Sequence, residues 1–540
     1  MLDDMANRLL GRYGAMLFTL AFVALASGCA DDETSSTATP ADSATRPASP
    51  TLTPLPTLQA VAPISFSEPA VLYGAEAGDG AQAVSSGDFN GDGELDIVMG
   101  ASRADGADNA AEDAGEAYVF FGPFAPGEVR DAGKGEQDVT LYGRQARDET
   151  GRAVGAGDVT GDGIDDIVLG APRAGTPEGD GPGAVYIVPG RSDWPDALQL
   201  PGDGTTITGA SPGDLFGFAL DVGDATGDGI ADVLVGAFWG DGPGDARTDA
   251  GEAYLIKGSP SLPATIELGA AATGVVTVIG AETGGQLGES VTLADLTNDG
   301  VEDLILSATF ADDSAGQEKV GAVYVVIGGE GLVDQDLAGT QAIALGTDAG
   351  DQLGHSAAAG DVDGDGTIDL ILGAVSADGP GNIRDLAGEV IVFLQPGAYV
   401  NGRSGEPQTV VIYGGESGQR VGRSVGAGDL DGDGLADLLL AAPGADATAG
   451  NDNSGVLFVI FGRAGLPPAL EFKEGGFDLA IAGRDPGDAF GTSVLGRPSV
   501  TTADFDRDGR DDIVVAAVGD GPANDRADAG EVSLFFSQDP

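Results

Sequence analysis

The sequence predicts an all-β chain: a seven-bladed β-propeller of four-stranded antiparallel blades, closed by an N-terminal strand in the last blade. Three observations predict it. An acidic loop recurs seven times at intervals of 66 to 75 residues, short apolar runs hold fixed places after each copy, and the first and last units are offset from each other. A period that regular is the signature of a repeat architecture.

The loops read GDFNGDGELD from Gly87, GDVTGDGIDD from Gly157, GDATGDGIAD from Gly223, ADLTNDGVED from Ala294, GDVDGDGTID from Gly360, GDLDGDGLAD from Gly428 and ADFDRDGRDD from Ala503. Each runs directly into a β-branched segment such as DIVMGAS or DIVLGAP, too short for a helix, which predicts a strand. A second run follows after a glycine, as in GEAYVFFG and GAVYIVPG, and a third ends in an apolar pair and glycine, as in TLYG at Gly143 and TITG at Gly209. The segment leading into each loop, such as GRAVGAGD, makes four strands per unit. Short strands repeated in this way with glycine-rich turns fit propeller blades better than an open sheet. No outer strand follows the last GEVSLFFS, whereas AVLYG, ending at Gly74, precedes the first loop without a partner of its own. Pairing the two closes the ring and leaves no free strand edge.

With 540 residues and a formal charge of −62, the chain excludes nucleic acid and anionic membrane surfaces as electrostatic partners and points to cations. The single cysteine, Cys29, cannot form an internal disulfide. Upstream, Arg8 and Arg12 precede AMLFTLAFVALASG, an apolar run too short to span a membrane and ending in small residues, as an export signal does. Its end, LASGC, resembles the lipobox of bacterial lipoproteins, although Ala26 stands where that family usually has leucine and Leu25 lies one residue earlier. The resemblance implies cleavage before Cys29 and lipidation of its thiol; ordinary cleavage nearby would leave the thiol free. Three regions follow: a signal peptide over 1–28, a Ser/Thr/Pro-rich tether over 29–60, and the propeller over 61–540. The expected location is the cell envelope or outer surface, with membrane contact only through the N-terminal lipid.

The chemistry lies in the loops. Numbering each from its first aspartate, position 1 is Asp88, Asp158, Asp224, Asp295, Asp361, Asp429 or Asp504. Position 3 is Asn90, Thr160, Thr226, Thr297, Asp363, Asp431 or Asp506, and position 5 is Asp92, Asp162, Asp228, Asp299, Asp365, Asp433 or Asp508. Position 7 offers a carbonyl from Glu94, Ile164, Ile230, Val301, Thr367, Leu435 or Arg510, and position 9 is Asp96, Asp166, Asp232, Asp303, Asp369, Asp437 or Asp512. Alternate residues of a tight turn point inward, glycine at position 6 permits the reversal, and a hard cation is wrapped in oxygen. Calcium fits best, with up to seven ions. Magnesium demands a tighter octahedron, and zinc prefers His or Cys, which the loops lack.

An EF-hand would need glutamate at position 12, where this chain has Met99, Leu169, Val235, Leu306, Leu372, Leu440 and Val515. A plain Asp/Gly turn needs no carboxylates at positions 1, 5 and 9 of every copy. Without a cation the three acids would repel one another and raise one another's pKa. Asp363, Asp431 and Asp506 add a fourth carboxylate, so the fifth and sixth loops are expected to bind most tightly, while Arg507 and Arg510 flank the seventh.

The repeats resemble the FG-GAP family, the propeller found at the N-terminus of integrin α subunits and in many bacterial surface proteins. The naming motifs stand as Phe216-Gly217, Phe490-Gly491 and Gly170-Ala171-Pro172, with degenerate versions elsewhere, over nearly everything from Pro69 to Phe536. The resemblance implies that the acidic loops are structural clamps on one face and that ligands are met on the other, here carrying loops such as RADGADNAAEDAGEAY and AFWGDGPGDARTDAGEAY. On that face Trp239 is expected to pack against its neighbours or to stack on a sugar or peptide. Glu116, Glu252, Glu389 and Glu531 are expected to cap backbone donors or to add acidic sites.

No catalytic constellation stands out. The sole histidine, His355, occupies a position filled elsewhere by Gln82, Arg152, Phe218, Glu289, Arg423 and Thr492 and is expected at the surface. Two functions are therefore carried forward: a calcium-stabilised adhesion, ligand-binding or scaffolding module, monomeric, with a protein or glycan ligand; and a carbohydrate-active lyase or hydrolase using a carboxylate pair near the central channel.

Overall fold

The computed structural model describes residues 64–540 apart from 243, 245, 270–271, 401–407, 447–452, 493–498, 520, 522–524 and 539–540. The signal peptide, the tether and Cys29 lie outside the described residues.

Blade 2 shows the plan. Val154–Gly157, Asp166–Ala171, Ala184–Val188 and Thr205–Thr208 lie side by side in chain order, each antiparallel to the next. The acidic loop joins the first strand to the second. The same order builds six further blades, whose second strands are Asp96–Ala101, Asp232–Ala237, Asp303–Ala308, Asp369–Ala374, Asp437–Ala442 and Asp512–Ala517. Every residue of those seven strands is buried, because neighbouring blades cover both faces. That is why they read as unbroken apolar runs rather than alternating ones. The core lies between blades: Ala117, Val119 and Val139 of blade 1 share one cluster with Ile167, Leu169 and Tyr186 of blade 2. Each buried Val, Leu or Ile contributes about 1.5–3 kcal/mol, so blade-to-blade contact holds the ring.

The first strands of successive blades pack on one another right around the ring, that of blade 7, Val500–Ala503, meeting that of blade 1, Ala81–Gly87. They form its inner wall. The predicted closure is present: Ala70–Tyr73 pairs antiparallel with Glu531–Phe535 as the outer strand of blade 7. A second clasp joins Ser65–Phe66 to Ser537–Gln538.

Four strands per blade is an undercount for five of the seven blades, which carry a fifth. Ala197–Gln199, between the third and outer strands of blade 2, pairs parallel with the outer strand of blade 1. Val129–Asp131 does the same to the closing strand of blade 7. Each latch is two or three residues long, too short to show a period, and it is set by contact with the neighbouring blade.

The family motifs have a steric cause. A Cβ at Gly170 would lie 2.1 Å from the carbonyl oxygen of Gly217, so the GAP glycine of one blade makes room for the FG turn of the next. Phe216 is fully buried, with its ring edge-on to Tyr254 at 5.6 Å between centroids.

Candidate metal centres and the opposite face

The acidic loops touch in series. The position-8 amide of each of five loops donates to the position-1 carbonyl of the loop before it: Asp165 to Asp88 at 3.2 Å, Ala231 to Asp158 at 3.1 Å, Glu302 to Asp224 at 3.2 Å, Ala436 to Asp361 at 2.9 Å and Asp511 to Asp429 at 2.8 Å. Hence the loops share one face. Within a loop the first aspartate organises the turn: Asp88 Oδ1 accepts the Gly91 N–H at 2.8 Å, and Oδ2 accepts the Gly93 N–H at 2.8 Å. The reversal runs through a left-handed glycine at position 6, as at Gly163 with φ 89°.

The ninth position does more than its spacing suggests. All seven of these aspartates are fully buried. One carboxylate oxygen accepts an N–H from early in the loop, as from Phe89 to Asp96 at 2.9 Å or Leu430 to Asp437 at 2.9 Å. The other accepts an N–H at the end of the third strand, from Gly122 to Asp96 at 2.9 Å and from Gly462 to Asp437 at 2.8 Å. The same pair of bonds is made by Asp166, Asp232, Asp303, Asp369 and Asp512. The residue is thus a staple between the loop and its own blade as well as a candidate ligand. Burial pushes these carboxyls upward, to about 6 for Asp166, Asp232 and Asp369, about 7 for Asp96 and Asp512, and about 8 for Asp437. Asp303 moves the same way. Neighbouring loop acids add to the effect, and a cation would reverse it.

Position 3 decides which acids meet. In loops five, six and seven a carboxylate oxygen from each member of Asp361/Asp363/Asp365, Asp429/Asp431/Asp437 and Asp504/Asp506/Asp512 lies within 4.8 Å of the others. Among the described residues, no loop with Asn or Thr at position 3 brings three acids together. Asn90 Oδ1 accepts the Asp92 N–H at 2.8 Å, and the Thr160 hydroxyl donates to Asp166 Oδ1 at 3.4 Å. The Thr297 hydroxyl is buried with no hydrogen-bond partner.

At position 7 the side chain packs over the position-4 glycine of the preceding loop. A Cβ at Gly91 would lie 3.2 Å from Ile164 Cδ1, one at Gly161 3.1 Å from Ile230, and one at Gly227 2.7 Å from Val301. Leu435 and Arg510 cover Gly364 and Gly432 in the same way. Side chains there are spent on inter-blade packing, which leaves the carbonyl as the donor a cation could use. Thr367 donates to Asp365 Oδ1 at 2.6 Å, and Glu94 pairs with Arg507 of loop seven at 3.0 Å.

On the opposite face several expectations change. His355 is not a surface residue: it is 3 % exposed, with Arg423 Nη1 at 3.0 Å from its Nε2 and Glu289 Oε1 at 3.8 Å from its Nδ1. Burial, reinforced by the charges of Arg423 and Arg420, pushes its pKa down to about 3 and keeps it neutral. Its place on the inner wall, not visible as a period in the sequence, explains the error. Trp239 packs against the core between blades 3 and 4, with its ring 5.4 Å from Phe238. Glu116 and Glu531 bond side chains rather than capping backbone: Glu116 meets Tyr118, and Glu531 accepts from Ser533 at 2.9 Å and pairs with Arg484 at 3.2 Å. Glu252 meets the Tyr254 hydroxyl. Glu389 is buried, and burial followed by repulsion from Asp351, Asp348 and Asp378 takes its carboxyl to about 8.

A cavity of about 400 Å³ opens on blade 1, beside the segment that leads into its first strand, lined by Glu76, Asp79, Asp105, Glu116, Tyr118 and Tyr142 among others. The Tyr118 hydroxyl donates to Asp79 Oδ2 at 3.4 Å. Burial raises Asp79 to about 6 and Glu116 to about 7.

Five segments match the FG-GAP repeat family: 80–120, 150–188, 287–326, 421–460 and 497–535. They cover the inner three strands of blades 1, 2, 4, 6 and 7. The chain is 30 % identical to integrin alpha pat-2 of Caenorhabditis briggsae over 285 residues, 51 % of this chain and 21 % of that one. It is 29 % identical to integrin alpha-V of Gallus gallus over 239 residues, 43 % and 20 %. It is 33 % identical to phosphatidylinositol-glycan-specific phospholipase D of Bos taurus over 190 residues, 34 % and 21 %. The matched region thus spans about a fifth of each relative.

Proposed function

We propose that this FG-GAP repeat protein, a seven-bladed propeller similar to integrin alpha chains, is a calcium-stabilised ligand-binding module serving adhesion or scaffolding at a cell surface. The observation that carries the metal part is the convergence of three carboxylates in each of loops five, six and seven. Their mutual spacing suits a cation held at the 2.3–2.6 Å typical of calcium–oxygen bonds. The unpartnered, buried Thr297 hydroxyl offers a further oxygen in loop four. When bound, the ion would supply positive charge that cancels carboxylate repulsion. The chain's own residues do the rest: position 1 shapes the turn, position 9 ties it to the third strand, and position 7 locks it to the next loop.

Because the loops are clamped blade to blade, they serve the ring, and partner recognition falls to the non-repeating loops opposite. A protein or glycan ligand, a monomeric state and a lipid anchor at Cys29 complete this reading. Thermal melting with calcium and with EGTA tests it. Each saturated site adds about 2.7 kcal/mol at a hundredfold excess over Kd, so several sites give a large upward shift, and no shift removes the metal from the function.

A second reading has one observation in its favour. The cavity on blade 1 holds two buried carboxyls, Asp79 and Glu116, whose raised pKa values suit proton transfer near neutrality. The pair lies there and not on the inner wall. Polysaccharide turnover abolished by Glu116→Gln would establish a carbohydrate-active enzyme in place of a binding module.

A further inference from the structure

The cavity on blade 1 is short of hydrogen-bond donors. Glu116 and Asp79 line it, each only 7 % exposed, and both stand at the hydroxyl of the buried Tyr118. That hydroxyl carries one proton, which goes to Asp79 Oδ2 at 3.4 Å and so does not serve Glu116. Gln137, on the same lining, gives its Nε2 to Thr140 Oγ1 at 2.9 Å, and its buried Oε1 has no hydrogen-bond partner. Buried acceptors without donors are costly, so the space they line calls for a donor-rich group.

Charge points the same way. Three more carboxylates, Glu76, Asp105 and Asp108, stand exposed at the mouth, and among the described residues no Lys, Arg or His lines the cavity. Arg526 reaches one wall through the Ala75 carbonyl at 2.8 Å, but its other nitrogen is taken by Asp131 at 2.6 Å. Other blades whose third strand opens with glutamate supply a cation of their own. Five residues before Glu252, Glu389 and Glu531 stand Arg247, Arg384 and Arg526, each bonded to an acid that ends the fifth strand, Asp336, Glu471 or Asp131. Before Glu116 the same position is Ala111. A Cβ on Gly242 would lie 3.3 Å from Arg247 Cβ, one on Gly379 3.5 Å from Arg384 Cβ, and one on Gly106, which lines the cavity, 3.6 Å from Ala111 Cβ. Blades 3 and 5 thus place an arginine stem where blade 1 has only a methyl group beside an open acidic cavity.

We propose that the cavity on blade 1 binds a linear aliphatic polyamine, with one ammonium group held in its depth by Glu116, Asp79 and Gln137 Oε1 and a second at its mouth by Glu76, Asp105 and Asp108. An ammonium brings three rotatable donors to the three acceptors in the depth, where a guanidinium brings a rigid planar fork. At about 400 Å³ the space is too large for a bare metal ion, which sits about 2.0–2.6 Å from its ligands. A single lysine side chain would neutralise the depth and leave the mouth acids unpaired, whereas a polyamine carries charge to both. Polyamine binding here requires neither a metal in the acidic loops nor turnover of a polysaccharide.

The test is calorimetric titration of the full-length, calcium-loaded protein with spermidine, with fully acetylated spermidine, a glucosamine trisaccharide and the peptide Gly-Lys-Gly alongside. Spermidine is expected to bind saturably, more weakly as salt rises, and its uncharged acetylated form not to bind. Glu116→Gln should weaken binding by about tenfold or more, the loss of a charge-assisted contact, and its melting temperature should stay level or rise because a buried charge is removed. Ala111→Arg restores the residue that three other blades carry, so it should keep the fold and weaken binding to a similar extent. Glu178→Gln, an exposed acid outside the cavity, should leave binding unchanged, which separates the site from the general attraction of a chain of net charge −62. No saturable spermidine binding, parent affinity in both Glu116→Gln and Ala111→Arg, or an equal loss in Glu178→Gln would each overturn the proposal. So would equally tight binding of the peptide or the trisaccharide with the same dependence on Glu116. Should Glu116→Gln melt lower, Ala111→Arg decides alone. Polysaccharide turnover is read on the same samples: turnover without spermidine binding sinks this site and keeps the enzyme reading, and the reverse sinks the enzyme reading alone.

Discussion

Asp437 separates the two jobs that an acidic loop performs. Its carboxylate is fully buried, accepts N–H groups from Leu430 and Gly462, and lies with Asp429 and Asp431 in one three-acid cluster. Asp437→Ala strands two buried donors, and each costs about 1–3 kcal/mol. The expected loss is therefore about 2–6 kcal/mol, and it should appear even in EGTA, because the staple needs no metal. Asp431→Asn should behave in the opposite way. Asp431 is held above its ordinary pKa by burial and then by Asp433, so neutralising it should leave the EGTA-treated protein as stable or more so. In calcium it should forfeit up to about 2.7 kcal/mol, the share of one saturated site at a hundredfold excess over Kd. Urea denaturation of both variants in EGTA and in calcium reads the difference directly. If Asp437→Ala costs less than about 1 kcal/mol in EGTA, the staple is wrong. If Asp431→Asn keeps the full calcium increment, loop six does not hold the ion through this cluster.

Three further outcomes are expected. Gly170→Ala places a Cβ 2.1 Å from the Gly217 carbonyl oxygen and should destabilise the protein by about 1–3 kcal/mol or more, whereas an exposed control substitution should not; equal midpoints in urea would refute the steric account. Deleting residues 64–74 removes the outer strand of blade 7 and bares Glu531–Phe535, so amides there should exchange rapidly in hydrogen–deuterium measurements and the protein should self-associate; unchanged protection would show that the clasp is dispensable. For Glu389, ordinarily near 4.5 and here about 8, the folded form keeps a proton that the unfolded form releases between those values. The stability it contributes is complete below the lower value and is lost as pH rises through the higher one. Glu389→Gln should flatten that slope and exceed the parent at pH 8 by on the order of 2 kcal/mol in denaturation, and a slope unchanged by the substitution would refute the assignment.

Much of the fold was legible before any coordinates, because each blade repeats the same local rules. The second strands read as apolar runs since both of their faces are covered, and Gly163 sits at position 6 because the turn needs a left-handed residue. AVLYG declared the closure by standing without a partner. The latches such as Ala197–Gln199 were not legible, being three residues with no period, whose pairing exists only once blade 1 lies alongside. The position-9 staple was half legible: spacing marked an acid, but its partner Gly462 lies 25 residues away.

By itself the sequence determined the propeller, its blade count, the acidic loops and the residue types at each of their positions, since these depend on interactions within about one repeat. Only the tertiary structure decided which acids converge, that position 7 packs on a neighbouring loop, and that His355 is buried between Glu289 and Arg423 of the adjoining blades. The physical reason is closure. Residues such as Glu289, His355 and Arg423 are brought together by the curvature of a finished ring, and no local periodicity encodes that meeting.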